Sequence, residues 1–168
     1  MNSVKSKANH QSKHKMMMNC QYLCVGLITV GANRAKVPSE IAARPAGRNP
    51  VGRYTPGAPL RPYLGRCMRG EGGHELPTGE WNTVEIMAVG DRSLHILNGR
   101  VVNVLQDAKC TTDGKTAPLV SGRIEIESEG AECEYRRMEI RSLASFPKEY
   151  QALFSAGDSS GGTSAGKP

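Results

Sequence analysis

Between Gly79 and Val104 the apolar residues recur at every second position: Val84, Ile86 and Ala88 in one run, Leu94 and Ile96 in the next. Period two marks a β-strand with one buried face. Three consecutive strands joined by two tight turns are predicted. Asn98-Gly99 is the firmer turn, because a two-residue hairpin loop needs positive φ at both central positions, and Asn and Gly adopt it at least steric cost. Its flanks, LHIL and RVVN, are apolar and rich in β-branched residues. They set Ile96 opposite Val101 and His95 opposite Val102. The other turn is argued from faces. A three-residue loop, Gly90-Asp91-Arg92, with a bulge would bring the two apolar sets together, whereas a two-residue loop would pair Ile86 with His95. The opposite face then carries Trp81, Thr83, Glu85, Ser93 and His95, a mixture that suits solvent or a sugar.

Further along, Gln106 to Ala117 reads as a polar loop around Asp113-Gly114. Ile124 and Ile126 alternate with Glu125 and Glu127, giving a strand with one apolar and one acidic face. Glu129-Gly130 turns the chain. In the last strand Arg136-Arg137 reads as a bulge, with Glu132, Glu134, Arg136 and Arg141 on the exposed side. Pro147 to Phe154 predicts a short helix with proline in its first turn. Residues 155–168, mostly Gly, Ser, Ala and Thr, predict disorder. Towards the start, the prolines at 38, 45, 50, 56, 59, 62 and 77 argue against a long helix and any central strand, so residues 33–78 read as a long connection. Residues 1–15 are polar and basic, and 16–32 are mostly apolar, ending in the small residues Val30-Gly31-Ala32. Two readings stay open: a secretory signal, or a buried strand YLCVGLITV after a disordered start.

Composition narrows the function. A chain of 168 residues suits one domain with tails. The longest apolar run falls short of the roughly 20 residues that a membrane-spanning helix needs. The net charge of +6 divides unevenly, +11 over residues 1–70 and −5 over the remainder. The basic half spreads its arginines among Pro and Gly with no helical period, so a nucleic-acid partner is not expected. The five cysteines lack zinc-ligand spacing and define no disulfide framework, which predicts buried or free thiols. No metal site and no cofactor is expected.

Two phrases carry a resemblance. PTGEWNTVEIMAVGDRSLHILNGRVVN and PLVSGRIEIESEGAECEYRRMEIRSL resemble the end of the 3-keto-disaccharide hydrolase family, with its G-E-W-N block, its H-x-[VL]-N-G hairpin and its G-x-I-x-L-Q-x-E-G-x-E strand pair. The likeness runs from about Gly72 to Leu143. It implies an all-β antiparallel β-sandwich of concanavalin-A-like, jelly-roll type. The family's earlier G-N-S-G and acidic-then-Gln strands, which help line its sugar cleft, are not visible here. The sandwich is therefore expected to be incomplete at its N-terminal side, as in a truncated or mis-started copy. The expected organisation is a basic start and apolar stretch over 1–32, the partial sandwich over 33–143, and a short helix with a tail over 144–168.

The resemblance implies cleavage of 3-keto-disaccharides or related oxidised glycosides, outside the cytoplasm, in a secreted or periplasmic protein. Glycoside cleavage usually employs an acid and a base or nucleophile flanking the bond. Glu129, at a strand end bordering a cleft, and Glu80, in the G-E-W-N block, are the candidate carboxylates. His95 is a candidate base for removing the proton beside the ketone, its ordinary pKa of about 6.5 suiting that task. Trp81 is a candidate stacking platform, with Asn82 and Glu127 as further substrate contacts. The rival readings are a carbohydrate-binding sandwich without turnover and an inactive remnant. A sheet edge exposed where strands are missing would favour self-association.

Overall fold

The computed structural model describes residues 6–9, 12–20, 34–43, 45–46, 48, 50–63, 68–69, 73–124 and 133–157. Within them the chain is almost wholly β. The strands are β1 (Ser6–Asn9), β2 (Ser12–Cys20), β3 (Arg34–Ala42), β4 (Val51–Tyr54), β5 (Leu60–Pro62), β6 (Met68–Arg69), β7 (Asn82–Val89), β8 (Arg92–Leu97), β9 (Arg100–Thr112), β10 (Lys115–Pro118), β11 (Ser121–Ile124) and β12 (Cys133–Ser142). One helical turn, α1 (Lys148–Gln151), continues as a 3₁₀ turn over Ala152–Gly157. The main sheet runs β12-β2-β7-β8-β9-β3-β4-β6, with β10 beside β9 and β5 beside β3, and β1 pairs with β11 apart from it. Every pairing is antiparallel except the short β4–β6 contact.

The β7–β8–β9 meander is as the alternation predicts, but its first turn is not. Val89 pairs with Arg92, so Gly90-Asp91 is a two-residue loop and Ile86 does face His95. Gly90 takes φ +60°, as the first central position of a type II′ turn requires. β8 is buried on both sides, so its apolar residues do not single out one face: Leu94, His95, Ile96 and Leu97 are all buried. His95 and Ser93 therefore share a face with Val84, Ile86 and Ala88. Trp81, Thr83 and Glu85 belong to the face of Leu94 and Ile96. In the second hairpin Asn98 and Gly99 have φ of +49° and +82°, and Ile96 faces Val101 as expected. A bulge follows, so His95 faces Asn103 rather than Val102.

Three other expectations are corrected. Gln106 to Thr112 is strand, not loop. It extends β9 into a hairpin with β10, whose turn residues Asp113 and Gly114 have φ of +51° and +75°. Residues 34–62 contain β3, β4 and β5, and β3 joins the sheet despite Pro38. Pairing with β9 ends at Lys36, before the proline, and the Pro38 carbonyl accepts the Thr55 N–H at 2.9 Å. Lastly, the polar start and the first residues of the apolar stretch supply β1 and β2, and β2 lies between β7 and β12. The sheet thus draws on residues ahead of the boundary expected at 33. The stretch YLCVGLITV, the Glu125–Gly130 turn region and the C-terminal tail beyond Gly157 lie outside the described residues.

The core forms where the sheet folds over itself. Ala35 and Val37 of β3 and Tyr54 of β4 pack on Met87, Leu94, Ile96 and Val104. Each such Leu, Ile or Val, once buried, contributes roughly 1.5–3 kcal/mol. Phe146 and Phe154, on either side of α1, stack at 4.4 Å between ring centroids and close one end of this core. The result is a sandwich-type packing, and β12, at one end of the main sheet, is exposed along most of its length.

Candidate functional site

β7, β2 and β12 are neighbours in the sheet and share a face that is open along β12, where the side chains are exposed. Alternation along β7 puts Thr83 and Glu85 on it. Pairing then aligns Thr83 with Met17 and Arg136, and Glu85 with Lys15 and Glu139. β12 supplies Glu134, Arg136, Glu139 and Arg141 to this face, all exposed. Strands two apart are separated by roughly 10 Å, a gap that long side chains bridge. The Arg136 guanidinium reaches the indole of Trp81, its Cζ 3.8 Å from the ring centroid. Arg141 Nη2 donates to Glu139 Oε2 at 2.8 Å. The open face is therefore a charged surface with an aromatic ring at one end. β12 is bent by the predicted bulge: the register shifts between Arg136 and Glu139, and Arg137 has φ +53°.

The loop leading into Trp81 is fastened by two asparagines. Asn98 Oδ1 accepts the Thr83 N–H at 2.8 Å. Its Nδ2 donates to the His74 carbonyl at 2.7 Å and to Asn82 Oδ1 at 2.8 Å. Asn82 Oδ1 also accepts the Leu76 N–H at 2.8 Å, and the Glu80 N–H closes a turn on the Pro77 carbonyl at 3.0 Å. Asn98 thus does more than form its turn: it ties residues 74–82 to the hairpin. A positive-φ position facing a neighbouring segment is the signal that sequence reading could have used.

The predicted site residues separate in space. Trp81 is partly exposed at the rim of the open face, and Glu80 is exposed on the turn before it. Asn82, 3% exposed, points the other way into the asparagine clamp. His95 is 5% exposed in the middle of the sheet, and burial pushes its pKa down to about 4. It faces Ile86, four residues into β7 from Asn82, roughly 13 Å along the strand from its start, with Glu80 on the turn before that start. Glu127 and Glu129 lie outside the described residues. Glu85 shares the face of Trp81 as alternation predicts, and Arg136 and Glu139 join that face from β12. Their shared face depends on β2 standing between β7 and β12, which local pattern does not reveal. Cys133, expected as a buried or free thiol, is disulfide-bonded, and Cys110 carries a free thiol.

These features define an all-β domain of sandwich type with an open polar face bearing one aromatic ring. Residues 49–141, more than half of the chain, match the family profile of the 3-keto-alpha-glucoside-1,2-lyase-like domain, and the chain belongs to that family. The likeness read from the G-E-W-N block and the HILNG hairpin is thereby established. A crystal structure of a protein from Parabacteroides distasonis ATCC 8503, provisionally named a glycosyl hydrolase, is similar at a TM-score of 0.45 and 15% identity, over 84% of this chain and 83% of that one. A search of the curated proteins gives no match. Family membership supports a glycoside hydrolase-like role. Among the described residues no helix is long and apolar enough to cross a membrane.

Proposed function

We propose that the chain binds an oxidised glycoside of the 3-keto-glucoside class on the open face of β7, β2 and β12, and cleaves its glycosidic bond. The observation that carries this reading is the partly exposed Trp81 ring, held by Arg136 beside a face lined with carboxylates. An indole offers a sugar an apolar platform and an N–H donor. The guanidinium supplies donors fixed in a plane.

The chemistry follows from the ketone. A carbonyl at C3 acidifies the proton on C2. A base that takes this proton leaves an electron pair to form the C1–C2 double bond as the C1–O bond breaks. The departing oxygen takes a proton from an acid or from water. Glu85, on the face next to Trp81, is the base this reading favours, and Glu80 and Glu129 remain candidates for the second carboxylate. Glu127 remains a candidate substrate contact. His95 and Asn82 serve the fold in this reading. The Cys133 disulfide supports a secreted or periplasmic location, because disulfides persist in oxidising compartments.

Binding without turnover is the second reading. It is favoured by the separation of His95, buried in the middle of the sheet, from Glu80 on the exposed turn before β7. Because Trp81 is the chain's single tryptophan, its fluorescence reports binding directly. The test titrates a 3-keto-glucoside against the full chain and follows product by chromatography. Cleavage is expected, with E85Q lowering kcat and W81A, titrated by calorimetry because it lacks the fluorophore, binding at least tenfold more weakly. Binding with no product selects the second reading. No fluorescence change and no product would end both.

A further inference from the structure

β12 is the outermost strand of the main sheet, and among the described residues no strand lies beyond it. An open strand edge presents a row of backbone donors and acceptors to any matching chain. This one also exposes two large apolar side chains, Met138 at 51% and Ile140 at 56%. Its charges on one face follow an order, Glu134 and Arg136 before the bulge and Glu139 and Arg141 after it, all exposed, with a further exposed Arg137 in the bulge itself.

That order is self-complementary. A second β12 laid antiparallel about a two-fold axis through the bulge puts Glu134 opposite Arg141 and Arg136 opposite Glu139, in both halves. On the other face it puts Tyr135 opposite Ile140. Opposite charges across an antiparallel pair stabilise it, and like charges directly opposite destabilise it. Sliding the partner two residues one way sets Arg136 against Arg141. Sliding it two the other way sets Glu134 against Glu139. A slide of one residue turns the charged face to the wrong side. Within one copy Arg141 already bonds Glu139 at 2.8 Å, and Glu134 of the second copy would give it another acceptor. The geometry points to an isologous dimer of this chain, formed by antiparallel pairing of β12 with β12 of a second copy in the register that opposes Glu134 to Arg141. A two-fold contact of this kind closes on itself and does not propagate into fibres. Arg136 also holds the Trp81 ring, so the test is read at Glu134 and Arg141, which the proposed binding reading does not use.

The experiment is sedimentation velocity on the full chain across a concentration series, with circular dichroism confirming the fold of each variant. Wild type is expected to be dimeric at micromolar concentration. R141E sets an acid opposite Glu134 and is expected to raise the dissociation constant at least tenfold. The double reversal E134R/R141E restores opposite charges and is expected to recover the dimer. A wild-type monomer at every concentration overturns the proposal. So does a dimer that R141E leaves intact, or a double variant no better than R141E.

Discussion

Acidification should destabilise this protein through one side chain. His95 sits at the centre of β8 with burial holding its pKa at about 4, against about 6.5 for an exposed imidazole. Between those values the unfolded chain binds a proton that the folded chain refuses, so stability rises with pH across this window and is lost as pH falls. Each tenfold step in proton affinity is worth about 1.4 kcal/mol, so the loss from pH 7.5 to pH 4 comes to about 3 kcal/mol. For a chain of this size that lowers Tm by roughly 6–12 °C. Carboxylates titrate in the same range, so the decisive quantity is a difference. Urea unfolding of wild type and H95Q is measured at each pH, and the gap between the two curves is plotted. H95Q has its own cost at neutral pH, but that cost does not titrate at this site. The wild-type curve should fall towards or below the variant by about 3 kcal/mol on the way to pH 4. Parallel curves would show that His95 protonates in the folded state as it does in water, which would refute its burial. The same burial predicts that no limb near pH 6.5 in a pH–rate profile belongs to His95.

Two further outcomes are expected. N98G keeps the positive φ that the hairpin demands but removes the side-chain bonds to Thr83, His74 and Asn82. It should cost about 2–4 kcal/mol in urea unfolding, at roughly 1 kcal/mol per bond, and shift the emission of Trp81; a variant with unchanged stability and emission would leave Asn98 only its turn. F154A removes a buried ring stacked on Phe146 and should cost about 3–5 kcal/mol, read as a fall in Tm by calorimetry, with a Tm like that of wild type contradicting the packing at that end of the core.

What the sequence revealed and what it concealed follow from the range of the interactions. Asn98-Gly99, the bulge beside Arg136 and the helix after Pro147 are decided within a few residues, and each stands where its chemistry predicts. Gly90-Asp91 is equally local, and its type II′ signal was present. Amphipathic faces favour a three-residue loop there, a preference that fails for a strand like β8 with both faces buried. β2 is the opposite case. SKHKMMMNC has little strand character of its own, and its place between β7 and β12 is fixed by partners about 70 and 120 residues away, as non-local sheet pairing allows. The open face is invisible for the same reason. Trp81 and Glu85 could be assigned to one side of one strand, but not the strand two places along that brings Arg136 over the indole.

The asparagine clamp also sets how this protein ages. Asn-Gly is the dipeptide at which a following backbone nitrogen most readily attacks the asparagine side chain, closing a succinimide that opens to aspartate or isoaspartate. In the native hairpin the Asn98 carboxamide is tied to Thr83, His74 and Asn82, which keeps it from turning towards the Gly99 nitrogen. The unfolded chain has no such restraint. Conversion to aspartate would replace the donor that holds the His74 carbonyl with an oxygen and set two oxygens against each other at Asn82. The loop before Trp81 would then lose its fastening permanently. Chemical lifetime is therefore coupled to the time spent unfolded: the amide that secures the loop is also the clock that records each excursion from the native state.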